Sequence, residues 1–139
     1  MTRKRAILFV CIGNTCRSPM AECIAKEISK DISVSSCGIN TISNKINPKA
    51  VKVLNDKLKI DITDRKPINI NNLDMRKFDT IYSLDKEVSY YLNNLNTFSG
   101  NLIELVIDDP HGQDIAKYYE TYNEIYLKLK NIAYEKGSL

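Results

Sequence analysis

Apolar positions along this chain follow two periods. The run at residues 6–10 (AILFV) is short, continuous and partly β-branched or aromatic, the pattern of a strand buried on both faces. From Met20 the period lengthens. Met20, Ile24 and Ile28 recur every four residues with Ala21 and Ala25 beside them, and Glu22, Lys26 and Lys30 fall on the other side, as in an amphipathic helix. Ser18 suits the cap of that helix and Pro19 its first turn, where a missing N–H costs nothing. Ile32-Ser33-Val34-Ser35 alternates and predicts a second strand, ended by Cys37-Gly38. This strand-helix-strand unit is complete by residue 36, and the right-handed crossover rule makes its strands parallel.

Residues 39–47 have little pattern and no aromatic side chain. Pro48 opens a helix with Ala50, Val51, Val53, Leu54 and Leu58 on its apolar side. Residues 60–76 are mixed, with a short helix expected near 72–76. Residues 79–83 predict a third strand, 85–93 a helix carrying Val88 and Leu92, and 102–107 a fourth strand. Residues 108–112 (DDPHG) are a loop by composition. Ile115, Tyr118, Tyr122, Ile125, Leu129 and Ile132 then keep a three-four spacing closed by Gly137, with the tyrosines read as core. No repeat or linker interrupts the chain. The expected architecture is α/β: a single three-layer domain over residues 1–139, a roughly four-stranded parallel sheet with helices on both faces, and a phosphate-binding loop after strand 1. Its site should lie at the carboxyl ends of the strands.

Composition narrows the classes. A chain of 139 residues with 43% hydrophobic and 27% charged positions supports one real core. The net charge of +3 is mild and spread out, so no nucleic-acid partner is expected. Cys11, Cys16, Cys23 and Cys37 contain no Cys-x2-Cys pair, and the sole histidine, His111, is remote; a zinc site is not expected. Met-Thr-Arg-Lys-Arg before an apolar run imitates a signal peptide, but the run is short and meets Gly13-Asn14. No stretch reaches membrane-spanning length. The chain reads as a cytoplasmic monomer with reduced thiols and no membrane partner.

The candidate chemistry sits where the first strand stops. Cys11 and Arg17 stand six positions apart across a Gly13-Asn14 turn. In a loop folded back on a helix N-terminus, backbone N–H groups converge and bind a tetrahedral anion. A guanidinium fork grips two of its oxygens, and a thiolate beneath can attack the central atom. The positive end of a helix and an arginine favour the ionised, nucleophilic form of such a thiol. Expelling the leaving group then needs a proton donor across the pocket, and later a base for water. Asp108-Asp109-Pro110 offers one in a loop after a strand, with Pro110 restricting the geometry of Asp109.

These two segments resemble the low-molecular-weight protein phosphatase family. Val10-Cys11-Ile12-Gly13-Asn14-Thr15-Cys16-Arg17-Ser18-Pro19-Met20-Ala21-Glu22 is close to the family signature throughout, and Asp109-Pro110 matches its general-acid motif. Weaker similarity covers Ser36-Cys37-Gly38 and residues 79–92. The resemblance implies that Cys11 is the nucleophile, Arg17 the phosphate clamp and Asp109 the acid and then the base. The N–H groups of Ile12, Gly13, Asn14, Thr15, Cys16 and Arg17 would stabilise the phosphoryl oxygens. Asn14 would hold the loop in a strained turn, and Ser18 would hydrogen-bond the thiolate. No metal and no other cofactor is implied. Cys16 would either close a reversible disulfide with Cys11 or pack as a thiol, while Cys23 and Cys37 are structural.

Thr15 divides the branches. The resemblance to the tyrosine-phosphatase branch would call for a bulky aliphatic residue here, and the protein-arginine phosphatase branch carries threonine. A hydroxyl can meet a polar guanidinium that an isoleucine would desolvate. His111 stands where the family usually carries Phe or Tyr; it is a second specificity position, read as a loop histidine rather than a proton-transfer group. Phosphorylated proteins are the expected substrates, phosphoarginine first and phosphotyrosine as the alternative, with inorganic phosphate as product. A phosphate-carrier or a non-catalytic phosphoresidue-binding module is the alternative of another class, although neither requires Arg17 and Asp109. An arsenate reductase that relays oxidation to downstream cysteines is not expected, because no cysteine follows Cys37.

Overall fold

A computed structural model describes residues 3–95, 98 and 100–139. Among these, β1 (Ala6–Cys11) leads into α1 (Arg17–Ile28), then β2 (Ser33–Gly38) and α2 (Pro48–Leu58). Two 3₁₀ turns, Ile70–Asn72 and Met75–Lys77, precede β3 (Thr80–Ser83) and α3 (Lys86–Asn93). The chain closes with β4 (Asn101–Glu104) and α4 (Ile115–Lys136). The described strands form one sheet in the order β2-β1-β3-β4, every neighbouring pair parallel. Ile7 pairs with Val34 on one side and Thr80 on the other. The chain leaves β1 toward one edge and returns past it to the other. The crevice at the carboxyl ends of β1 and β3 is therefore the switch point where α/β proteins bind ligands.

Strand alternation divides the core. Ile7 and Phe9 join Met20 and Ile24 of α1, Val53 and Leu54 of α2, and Tyr118, Tyr122, Ile125 and Leu129 of α4 on one face. Leu8 and Val10 turn to the other face, with Ile81, Val88 and Leu92 and with Ile70 and Met75 of the 3₁₀ turns. Phe9 and Tyr82 stack with ring centroids 5.0 Å apart. Helices on both faces of a parallel sheet match the expected α/β class.

Four local expectations are corrected. Ser18 does not cap α1: Cys16 holds the cap position without a side-chain bond, and Ser18 and Pro19 are the second and third helical residues. The Ser18 hydroxyl is spent on the loop instead. Glu22 does not lie on a solvated face with Lys26 and Lys30; it is buried, because the first half of α1 is covered all round. The helix expected near 72–76 is two 3₁₀ turns, each started by an Asx cap, Asn69 and Asp74. The fourth strand stops at Glu104 instead of running to Ile107. Its partner β3 ends at Ser83 and turns into α3, so residues 105–107 lose their ladder. Leu105 N–H still donates to the Ser83 carbonyl (2.7 Å) and Ile107 N–H to that of Leu84 (3.1 Å). No helix among the described residues is long and apolar enough to cross a membrane.

Candidate active site

The loop after β1 curls around the Cys11 sulfur. Asn14 takes a left-handed conformation at φ 56°, which Asn tolerates better than most residues, and its backbone N–H donates to Cys11 Sγ at 3.3 Å. Its side chain is fully used. Nδ2 donates to Ser18 Oγ (2.8 Å) and Ser36 Oγ (3.0 Å), while Oδ1 accepts from Ile68 N–H (2.8 Å). Ser18 Oγ stands 2.9 Å from Cys11 Sγ and 3.4 Å from the Cys37 carbonyl. Its one proton serves the sulfur when that is a thiolate, and the carbonyl when the thiol donates back. Gly38 closes the loop from below: a Cβ there would lie 2.6 Å from the Ile12 carbonyl oxygen and 2.9 Å from Asn14 N.

Arg17 reaches over this loop from the first residue of α1, 3% exposed. Nη1 donates to Asp85 Oδ2 (2.8 Å) and to the Ile107 carbonyl (2.9 Å), with the Leu84 carbonyl at 3.4 Å. Nη2 stands 3.7 Å from Asp109 Oδ2. Burial works against the guanidinium charge, but the Asp85 hydrogen bond, followed by the charges of Cys11, Asp109 and Asp85, raises its pKa above the ordinary value. Among the described residues the side-chain hydrogen bonds of Arg17 all run through Nη1. Asp109 is half exposed, and its Oδ1 accepts from His111 N–H at 3.0 Å.

Behind the loop is a charged anchor. Ser36 Oγ donates to Glu22 Oε1 at 2.7 Å. Arg65 Nη2 bonds both Glu22 and Ser36 Oγ, and Lys26 Nζ reaches Glu22 Oε2 at 2.7 Å. Burial alone would raise the Glu22 pKa; Arg65, then Lys26 and Ser36, outweigh it and hold it below the ordinary carboxylate value. All four cysteines are free and buried. Burial pushes the Cys16 and Cys37 thiols strongly up, with Cys11 adding to both, and pushes Cys23 up to about 11.

A cleft of about 340 Å³ opens above the sulfur. Of the residues singled out in the sequence, Cys11, Ile12, Gly13, Thr15, Cys16, Arg17, Asp109 and His111 all line it. Asn14 and Ser18 do not; they sit behind as the supports described above. Sequence reasoning missed Asn40, Ile42, Ser43, Asn47 and Tyr118 on its walls, and Asp85, Ser36 and Gly38 around the loop. Asp85 had a signal, since it follows the carboxyl end of a predicted strand. Tyr118 had none, because its spacing matches the core stripe. Among the described residues no group of three or more His, Cys, Asp or Glu side chains could hold a metal ion.

Fold and site together define an α/β protein with a cysteine and an arginine at a loop-helix junction, an arrangement suited to a tetrahedral anion. Residues 6–136 match the family model described as low molecular weight phosphotyrosine protein phosphatase. A low molecular weight protein-tyrosine-phosphatase, PtpB, of Staphylococcus haemolyticus is 32% identical over 127 residues, covering 86% of this chain and 91% of that protein. An arsenate reductase of Staphylococcus xylosus is 30% identical over 131 residues, 92% of this chain and 95% of that protein. Among solved structures, the YwlE arginine phosphatase mutant with a phosphorylated active-site serine superposes with a TM-score of 0.75 at 27% identity, over 94% of each chain. The chain belongs to the low molecular weight phosphotyrosine protein phosphatase family, and it is a cysteine-dependent phosphatase.

Proposed function

We propose that this phosphatase hydrolyses phosphoarginine in proteins through a phosphocysteine on Cys11. The loop N–H groups of Ile12, Gly13, Thr15, Cys16 and Arg17, with the free edge of the Arg17 guanidinium, hold the three non-bridging oxygens and match the charge that builds up during transfer, while the Asn14 N–H stays with the sulfur. The Cys11 thiolate attacks phosphorus as the phosphorus–nitrogen bond breaks, and protonated Asp109 gives its proton to the departing guanidine nitrogen. Asp109, now a carboxylate, takes a proton from water as that water attacks phosphorus. The phosphorus–sulfur bond breaks, releasing inorganic phosphate and the thiolate. Ser18 supports the sulfur in both thiolate stages. Where a peroxide oxidises the Cys11 thiolate to a sulfenic acid, the thiol of Cys16, which lines the same cleft, would attack that sulfur with loss of water and close a reducible disulfide ahead of irreversible oxidation.

The substrate reading rests on Thr15. Thr15 lines the cleft with Cys11, and so do Asn40, Ile42 and Ser43, from a stretch of residues 39–47 that holds no aromatic side chain; Tyr118 is the one tyrosine among the described lining residues. His111 lines the cleft as well, at the position where the family resemblance would call for Phe or Tyr. The likeness to an arginine phosphatase structure supports this reading, whereas the 32% identical relative is named for tyrosine. The arsenate reductase likeness does not extend to a downstream thiol relay, since Cys37 is the last cysteine of the sequence.

Comparing kcat/KM on a phosphoarginine and a phosphotyrosine peptide, for wild type and Thr15→Ile, decides the matter. Wild type should favour phosphoarginine, and the substitution should shift the preference toward phosphotyrosine by about 10-fold to 100-fold, the range one pocket contact supplies. Cys11→Ser should turn over neither. A wild-type preference for phosphotyrosine keeps the enzyme class and removes the arginine assignment.

A further inference from the structure

Asp109 stands two residues beyond the last bond to the β3 segment, Ile107 N–H to the Leu84 carbonyl. β4 ends at Glu104, and the side chain of Asp109 is half exposed, with a 3.7 Å ion pair to Arg17 as its contact with the phosphate loop. Yet an acid misplaced by about 1 Å can cost two orders of magnitude in rate. The loop is gripped at its ends. On one side Arg17 takes the Ile107 carbonyl at 2.9 Å. On the other, Gln113 N–H closes on the Pro110 carbonyl (3.0 Å) and Asp114 caps α4.

That second end packs with α1 in the core, and Asn47 ties it to the phosphate loop by hydrogen bonds. Asn47 N–H donates to the Thr15 carbonyl at 2.9 Å. Asn47 Oδ1 accepts from Lys49 N–H at 2.9 Å, capping α2. Asn47 Nδ2 donates to the Tyr118 hydroxyl at 2.9 Å. Tyr118 is buried in the first turn of α4 and lines the cleft. Lys49 adds a strap: Nζ donates to the Gln113 carbonyl and lies 5.5 Å from the centre of the Tyr118 ring. We propose that Asn47 is a positioning residue for proton transfer, bracketing the phosphate loop to α4 so that Asp109 stands at a fixed distance from Cys11. This rests on the reading of Asp109 as the acid.

The test is the dependence of kcat/KM on the leaving group, because a poorly placed acid matters most where the leaving oxygen needs a proton most. Asn47→Ser keeps the backbone N–H and a good cap but cannot reach Tyr118; Tyr118→Phe cuts the same bond from the other side. With phenyl phosphate each should fall about 10-fold or more, and with para-nitrophenyl phosphate less than about 3-fold. The double variant should be no worse than the poorer single one, since both remove one link. Lys49→Met, at an exposed side chain, should act in the same direction more weakly, and it decides alongside Tyr118→Phe if Asn47→Ser fails to fold. Asp109→Asn is the reference. If it does not steepen the dependence, the acid assignment falls. If it does, while Asn47→Ser and Tyr118→Phe lower both substrates equally or neither at an unchanged melting temperature, the positioning role falls and the acid assignment stands.

Discussion

Arg17 is the residue on which the geometry converges, and it is also the most constrained. Burying a guanidinium requires that its charge and its donors be met. Asp85 supplies the charge and the carbonyls of Ile107 and Leu84 take donors on the same Nη1 side. Replacing Asp85 by Asn keeps a cap acceptor for α3 but removes the charge that orients Arg17. Asp85→Asn should lower kcat/KM on para-nitrophenyl phosphate about 10-fold to 100-fold and weaken inhibition by inorganic phosphate in parallel. Steady-state kinetics measure both. The local half of this arrangement was legible: residues 85–93 read as a helix, and Asp85 Oδ1 does accept from Glu87 N–H at 3.0 Å. The other carboxylate oxygen is committed to a partner 68 positions away, and no periodicity carries that information. Thr15 and Cys11 were legible for the opposite reason, since their neighbours in sequence are also their neighbours in space.

At the scale of elements, the loop after β1 depends on the end of β2. Val10 pairs with Cys37 and Cys11 with Gly38, which brings the loop backbone directly over residue 38. A methyl group there would meet backbone atoms that cannot rotate away. Gly38→Ala should therefore destabilise the protein by about 1–3 kcal/mol and reduce affinity for inorganic phosphate, read respectively by urea unfolding and by competitive inhibition. A stable variant with normal phosphate affinity would show that the loop has more room than its backbone contacts imply. In the sequence this glycine looks like an ordinary strand terminator. The long elements were readable because β1 is buried on both faces and α4, 22 residues long, keeps its stripe from Ile115 to Ile132. The misread boundaries have tertiary causes. Ser18 was drawn from the cap by the sulfur, and 102–107 was cut short because β3 ends first.

Across the whole molecule, the sheet, α1 and the segment before the 3₁₀ turns meet at Glu22. This carboxylate lies 4% exposed between Arg65, Lys26 and Ser36. Its pKa is below the ordinary 4.5, so through that window the folded state binds fewer protons than the unfolded chain and stability rises with pH. The contribution is complete above 4.5 and is lost as pH falls through the lower folded value. Glu22→Gln should cost about 2–3 kcal/mol at pH 7, because it leaves Arg65 without its charge partner. It should also flatten the acid limb of stability against pH, measured by denaturant unfolding at a series of pH values. Sequence periodicity assigned Glu22 to the solvated side of α1, since nothing local reveals that Arg65, 43 positions on, folds over it. The strand order has a last consequence. It places the anion cradle at the switch point, where it is assembled by the sheet and its buried network rather than by whatever docks there. A receptor finished before its guest arrives is still finished after the guest's organic part has gone. Inorganic phosphate carries the same tetrahedral oxygens, so it should compete with substrate for the vacated cradle and slow turnover as its concentration rises.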